Sequence, residues 1–317
     1  MKYSILKSIL FAIVFPLVFS LNSFAEEVPE RKFAMEFAGI LRNSATSGTG
    51  YAGTASSSAM AWSSFDNPAA MSFYKDRFDA GIFYQNWQPE YGKSLNLGTG
   101  LAFRTKKGFG LSGGFMMQQG QKMEILDQSG NAKGSFTPKD MQFNLGLGFK
   151  AAHLVSIGIN LKGFTQELSK DDKSFAFGAD LFAMTKVSDF NITLGVANVG
   201  TPVKASSGQS FNLPSSVRLG GAYCKTFAET HNIEAVLDAD YYFFAGGFSA
   251  AAGAQYGWKD MLFARAGYHL GTSNSLLPSF ASVGLGAKYF GVRLDVSYVL
   301  GNEVLKNTLS VGLGYTF

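Results

Sequence analysis

The stretch Leu309-Ser310-Val311-Gly312-Leu313-Gly314-Tyr315-Thr316-Phe317 decides the fold. Leu309, Val311, Leu313, Tyr315 and Phe317 are apolar, and the residues between them are small or hydroxylated. A period of two describes a β-strand with two unlike faces. A soluble protein that ended on such a strand would expose an apolar edge open to aggregation. A strand that closes a membrane barrel has no free edge, and its apolar face meets lipid. The expected partner of this strand is Phe78–Gln88, and Phe317 fits the terminal signal read by outer-membrane insertion machinery.

The rest of the chain repeats the pattern. Alternation begins at Phe78 and marks strands near residues 78–88, 94–105, 108–118, 139–151, 154–166, 173–185, 188–198, 214–226, 230–243, 246–258, 260–270, 279–290, 291–300 and 305–317. Each has the length of a tilted membrane strand, about ten residues or slightly more. Even-numbered connections are short, as at Ala152-His153 and Phe290-Gly291. Several odd-numbered ones are long, as at Gln119–Pro138, Gly200–Leu213 and Gly271–Pro278. Short periplasmic turns and long external loops are the known asymmetry of these barrels. The connection Phe244-Ala245-Gly246 is a short exception on the external side.

Composition agrees. Of the 317 residues, 46% are hydrophobic and 15% aromatic, and there are 37 glycines. Only 16% are charged, against about 25% in ordinary soluble domains. No segment after the amino terminus has the roughly 18 apolar residues of a spanning helix. Residues 1–25 read as a cleaved export signal: Lys2 and Lys7, the apolar run Ile9–Phe19, then Ser23-Phe24-Ala25. The net charge of +4 falls to +2 without Lys2 and Lys7, too weak for a nucleic-acid partner. The single cysteine, Cys224, permits no intramolecular disulfide and reads as a small inward residue.

Residues 26–73 have no long alternation. Lys32–Arg42 has the spacing of a short amphipathic helix, and Asn43–Met60 is dominated by Ser, Thr, Ala and Gly. Asp66-Asn67-Pro68 is a turn signal. This compact, small-residue segment reads as a plug inside a barrel formed by residues 74–317. The expected architecture is therefore all-β: a transmembrane antiparallel barrel of about fourteen strands with an amino-terminal plug.

Alternation also sorts the charges. Val292, Leu294, Val296, Tyr298 and Leu300 face lipid, and Arg293, Asp295 and Ser297 face inward. By the same parity Arg104, Arg218, Glu234, Asp238, Asp240, Arg265 and His269 point into the lumen, with Cys224 beside them. A charge on the lipid face near the midplane costs about 2–4 kcal/mol, which explains the sorting. These lumen groups either bind a polar substrate or pair with one another and with the plug, because buried charges need partners in any case. No catalytic constellation, metal-ligand spacing or cofactor motif is present. His153 and His231 fall at expected turns.

The run GTGYAGTASSSAMAWSSFDNPAAMSF, residues 48–73, resembles the amino-terminal signature of the PorV/PorQ family within the wider FadL-type superfamily. Its turn is Asn67-Pro68-Ala69, preceded by Trp62. Asn198-Val199-Gly200, Leu213-Pro214 and Val217-Arg218-Leu219-Gly220 resemble the family's mid-barrel pattern. Arg265-Ala266-Gly267-Tyr268, Gly284-Leu285-Gly286 and Leu294-Asp295 resemble its carboxyl-terminal pattern. The resemblance implies an integral protein of the outer membrane, in contact with its lipid, with fourteen strands and a hatch. It leaves two functions open. One is a non-enzymatic partner of other outer-membrane or surface proteins in a secretion or assembly complex, favoured by the lack of an obvious apolar pocket among inward residues. The other is passive transport of a hydrophobic ligand.

Overall fold

The computed structural model describes residues 33–317 apart from 41–42, 57–59, 91, 128, 171, 205–207 and 302. The expected signal, residues 1–25, lies outside the described residues, as do residues 26–32 of the expected plug. Arg31–Phe317 form one compact unit.

Alternating residues do fold as strands. They are β1 (Phe78–Trp87), β2 (Ser94–Arg104), β3 (Gly110–Gln119), β4 (Met123–Leu126), β5 (Ala132–Phe136), β6 (Lys139–Lys150), β7 (Val155–Glu167), β8 (Lys173–Val187) and β9 (Phe190–Gly200). The chain continues through β10 (Val203–Lys204), β11 (Ser210–Phe211), β12 (Ser216–Phe227), β13 (His231–Tyr242), β14 (Gly247–Trp258), β15 (Leu262–Gly271), β16 (Phe280–Tyr289), β17 (Val292–Leu300) and β18 (Leu309–Thr316). Fourteen of them close an antiparallel barrel, and each occupies one expected window. The remaining four, β4–β5 and β10–β11, form two small hairpins in the two longest loops, which the sequence did not suggest. In the turn between β4 and β5, the Asn131 and Ser129 amides donate to the Asp127 carboxylate and hold its pKa below the usual range.

The opening strand seals the wall. β18 pairs with β1 through Ile82↔Leu313 and Tyr84↔Val311, so no edge remains open. The expected start at residue 305 is early by four positions, because residues 303–307 form turns and Leu305 is fully buried. An apolar side chain there gains more by turning inward than by extending the strand.

Outward residues such as Leu101, Leu161, Leu194 and Leu219 are exposed, and their inward neighbours are buried, as at Gly100, Asn160, Thr193 and Arg218. Exposed aromatics mark both rims. Phe103, Phe190 and Phe290 lie at the end with the short turns; Phe177, Phe244 and Tyr268 lie at the end with the long loops. Paired aromatic girdles of this kind border the apolar band of a membrane barrel.

The interior is occupied by the described residues of 33–73. One-turn helices form at Phe37–Ile40 and Ser44–Ser47, and 3-10 turns at Met60–Trp62 and Pro68–Phe73. The expected amphipathic helix over 32–42 is thus a single described turn, and Lys32, Leu41 and Arg42 lie outside the described residues. The segment runs from the long-loop end, where the Ala34 amide donates to Asn212, to the short-turn end, where Ser72 donates to Gly108.

Candidate functional site

Close contact between the interior segment and the wall begins with glycine. A Cβ placed on Gly158 would fall 2.2 Å from the Ala69 nitrogen, and one on Gly148 would fall 2.2 Å from the Pro68 oxygen. Across the lumen, a Cβ on Gly267 would meet the Thr49 backbone at 2.1 Å. Inward glycines thus leave the room that the segment's backbone fills.

The turn Asn67-Pro68-Ala69 is built by local chemistry. Pro68 sits at the first position of its 3-10 turn, where its missing N–H costs nothing. Asn67 is the cap: its carbonyl Oδ1 accepts from the Ala69 amide at 3.0 Å. Its Nδ2 donates to the Thr54 carbonyl at 2.9 Å and to Thr193 Oγ1 of β9 at 3.1 Å. Ser156 of β7 donates to the Ala69 carbonyl at 2.8 Å. The small Ala69 is fully buried against the wall. Trp62, also near fully buried, lies edge-on to Phe83 of β1, with centroids 5.4 Å apart.

The inward charges mostly hold this segment. Asp238 accepts from the Gly53 and Thr54 amides and from Thr54 Oγ1 at 2.8–2.9 Å. Glu234 accepts from Ser56 at 2.7 Å and from the Cys224 thiol at 3.6 Å. Arg218 bridges Asp240 on the neighbouring strand and Asp66 of the segment, the latter at 3.0 Å. Arg265 pairs with Asp295 at 2.7 Å, and Arg293 joins Asp295 to Asp79 at 3.2 and 3.5 Å. Asp79 in turn accepts from the Ala61 amide at 3.0 Å. Of the two open readings, the geometry places these groups in mutual and segment-directed pairing. Arg104 is a correction: it lies at the rim and donates to the Lys75 and Asp76 carbonyls. It is the last residue of β2, so alternation carries it past the lumen. His269 faces inward and stacks on Phe280 with centroids 5.1 Å apart.

Sequence reading missed two groups. Asp79 belongs to the belt just described. Lys162 and Asp180 form an ion pair at 2.7 Å with side chains 2% and 1% exposed. Both occupy inward positions of their strands, so the parity that selected Arg218 also marks them.

It also missed an apolar core inside the barrel. Trp62, Phe65, Phe83, Met116, Phe164 and Phe37 form a buried cluster, closed from the loops by Val203 and Leu213. Phe37 meets Phe164 edge-on at 6.1 Å, and Trp62 lies 5.9 Å from Phe65. The side chains pack against one another, so the inward residues supply an apolar core rather than an open pocket. Its members come from the segment, four strands and a loop, so no single alternating run displays it. A second cluster, including Tyr51, Trp87, Phe280, Leu277 and Leu305, packs under the loops at 272–279 and 301–308. Among the described residues no group of three or more His, Cys, Asp or Glu gathers to hold a metal.

A fourteen-strand barrel filled by its amino-terminal segment can be set beside known structures. The toluene transporter TbuX of Ralstonia pickettii superposes with a TM-score of 0.59 at 8% identity, over 87% of this chain and 97% of that one. The CymD monoaromatic hydrocarbon channel gives 0.62 at 12% identity, over 86% and 96%. A Pseudomonas aeruginosa FadL homologue gives 0.54 at 12% identity, over 87% and 98%. The chain has the fold of FadL-type outer-membrane barrels. At these identities the likeness speaks for the FadL-type fold alone. No protein-family model and no curated protein matches the sequence. The PorV/PorQ resemblance accordingly finds no support, whereas the broader FadL-type expectation does as a fold.

Proposed function

We propose that this barrel lies in the outer membrane and passes small hydrophobic molecules across it without catalysis, with residues 26–73 as the plug. The packed, ring-rich apolar core under the long loops carries this reading. A route for polar solutes needs a hydrated lumen, whereas this interior offers packed rings at the loop end and paired charges below them. TbuX and CymD, a toluene transporter and a monoaromatic hydrocarbon channel, share the architecture. Trp62, Asn67, Pro68 and Ala69 seat the plug against the wall; Arg218, Glu234 and Asp238 bond to it directly, and Asp240, Arg265 and Asp295 pair with other wall groups.

Cells that express the protein should take up toluene or naphthalene faster than cells that lack it. Phe164→Glu places a carboxylate among the packed rings, where the nearby Lys162 ammonium is already paired with Asp180. The several kcal/mol needed to desolvate that charge should lower uptake by about tenfold or more. Equal uptake with and without the protein, across aromatic and long-chain solutes, would refute transport. Recovery of a large stoichiometric assembly from gently solubilised membranes would instead revive the secretion-partner reading, for which no present observation speaks.

The membrane reading has its own test. Leu313 is outward and half exposed on the closing strand. Leu313→Arg should cost about 2–4 kcal/mol in folding into lipid vesicles if that face meets the midplane. A penalty no greater than that of Leu313→Ala would place the face outside the bilayer.

A further inference from the structure

One recess on the outer wall is not absorbed by the proposed function. On β14–β17 the outward face carries several alanines, and two of them, Ala264 and Ala287, lie among bulky neighbours near the short-turn rim. The register sets two rows side by side, Tyr256–Ala264–Leu285–Val296 and Trp258–Leu262–Ala287–Leu294. The two alanines are thus diagonal neighbours, and they floor a recess of about 470 Å³ between Tyr256, Trp258 and Leu262 on one side and Leu285, Leu294 and Val296 on the other. That volume falls in the range of ligand-sized sites, about 300–1,000 Å³.

Its position defines the occupant. Trp258 ends β14 at the short-turn rim, and the exposed aromatics at this rim mark one membrane interface. Just beyond it, the ammonium of Lys259 lies 4.7 Å from the Trp258 ring. Lys288 is engaged by Asp76 and Asp260 at 3.8 and 3.6 Å, whereas Lys259 is in no ion pair among the described residues. An apolar recess in the lipid band, with an unpaired cation held at its mouth, matches an acyl chain joined to an anionic headgroup.

We propose that β14–β17 hold one anionic phospholipid of the leaflet at the short-turn rim, its acyl chain over Ala264 and Ala287 and its phosphate at Lys259. This rests on the membrane reading but not on solute transport. A barrel missing from the membrane fraction would defeat the former before any lipid is measured.

The protein is extracted in mild detergent and weighed intact by native mass spectrometry, then stripped and titrated with phosphatidylglycerol or phosphatidylcholine. Wild type should retain one phospholipid and prefer phosphatidylglycerol. Ala287→Phe fills the recess, and loss of about two methylenes' worth of burial should lower occupancy about tenfold. Ala264→Phe should do the same and serves if the first variant does not fold, as judged by heat-shifted gel mobility. Ala183→Phe, the same change on the exposed face of β8, should leave occupancy unchanged. Lys259→Gln should abolish the headgroup preference while retaining the lipid. Equal occupancy in Ala287→Phe and Ala183→Phe overturns the proposal. So does a lipid-free dimer that Ala287→Phe converts to monomer, which would make this face an interface between copies.

Discussion

Gly158→Val is expected to turn a closed barrel into an ion-conducting one. The new Cβ would lie 2.2 Å from the Ala69 nitrogen and 2.6 Å from the Pro68 carbonyl carbon. Both are main-chain atoms, so no flexible side-chain end can move aside. Overpacking of this kind costs about 1–3 kcal/mol even where side chains can adjust. The wall itself should tolerate valine, which suits a strand better than glycine. Strain therefore falls on the plug turn, whose bonds from Ser156 and to Thr193 are each worth only about 1 kcal/mol. The turn should leave the wall, and conductance in planar bilayers should rise well above that of wild type while the barrel still assembles. Wild-type conductance from a folded Gly158→Val barrel would show that the plug is not pressed against this strand.

Asp180→Leu should destabilise the barrel by about 3–5 kcal/mol, because it leaves the Lys162 ammonium buried without its counter-charge. Asn198 Oδ1 would remain beside that ammonium at 2.8 Å, a poor substitute for a carboxylate. Asp180 has a second duty. The β8–β9 ladder shifts register between Ala179 and Leu181, and Asp180 Oδ1 accepts the Asn198 amide at 2.7 Å. The side chain thus replaces a ladder bond that the bulge removes. Lys162→Met combined with Asp180→Leu should recover most of the loss. The orphaned Asn198 amide should leave a residue of about 1–3 kcal/mol. Urea unfolding in lipid vesicles measures both variants. If the double variant is as unstable as the single one, the ion pair is not what the carboxylate protects.

Much of the wall was legible because a strand's two faces follow residue parity, and in a membrane barrel parity separates lipid from lumen. Leu294 and Asp295, adjacent in sequence, meet those opposite environments. Hence the fourteen windows, the seam between β1 and β18 and the inward direction of Arg218, Arg265 and Asp238 were all readable. Arg104 failed where parity fails, at a strand end. Leu305 failed because burial outweighed strand continuation. The hairpins β4–β5 and β10–β11 have only local cues within long loops, and nothing in their spacing required them to pair.

The candidate site was legible in outline only. Asn67-Pro68-Ala69 announces a turn through proline geometry and asparagine capping, which are local effects. That this turn rests on Gly148 and Gly158 is not local, because residues about 80 to 90 positions apart meet only after closure. The apolar core inside the barrel is the extreme case: Phe37, Trp62, Phe83, Met116, Phe164 and Leu213 share no period.

By itself, then, the sequence determined what depends on neighbouring residues: strand periodicity, the apolar and polar faces, turn positions and the sorting of charge away from lipid. Only the tertiary structure decided which inward charges pair, where the amino-terminal segment touches glycine, and that rings from distant segments pack into one apolar core. The physical reason is range. Alternation acts over a few residues of backbone, whereas packing and ion pairing act between surfaces that closing the barrel brings together.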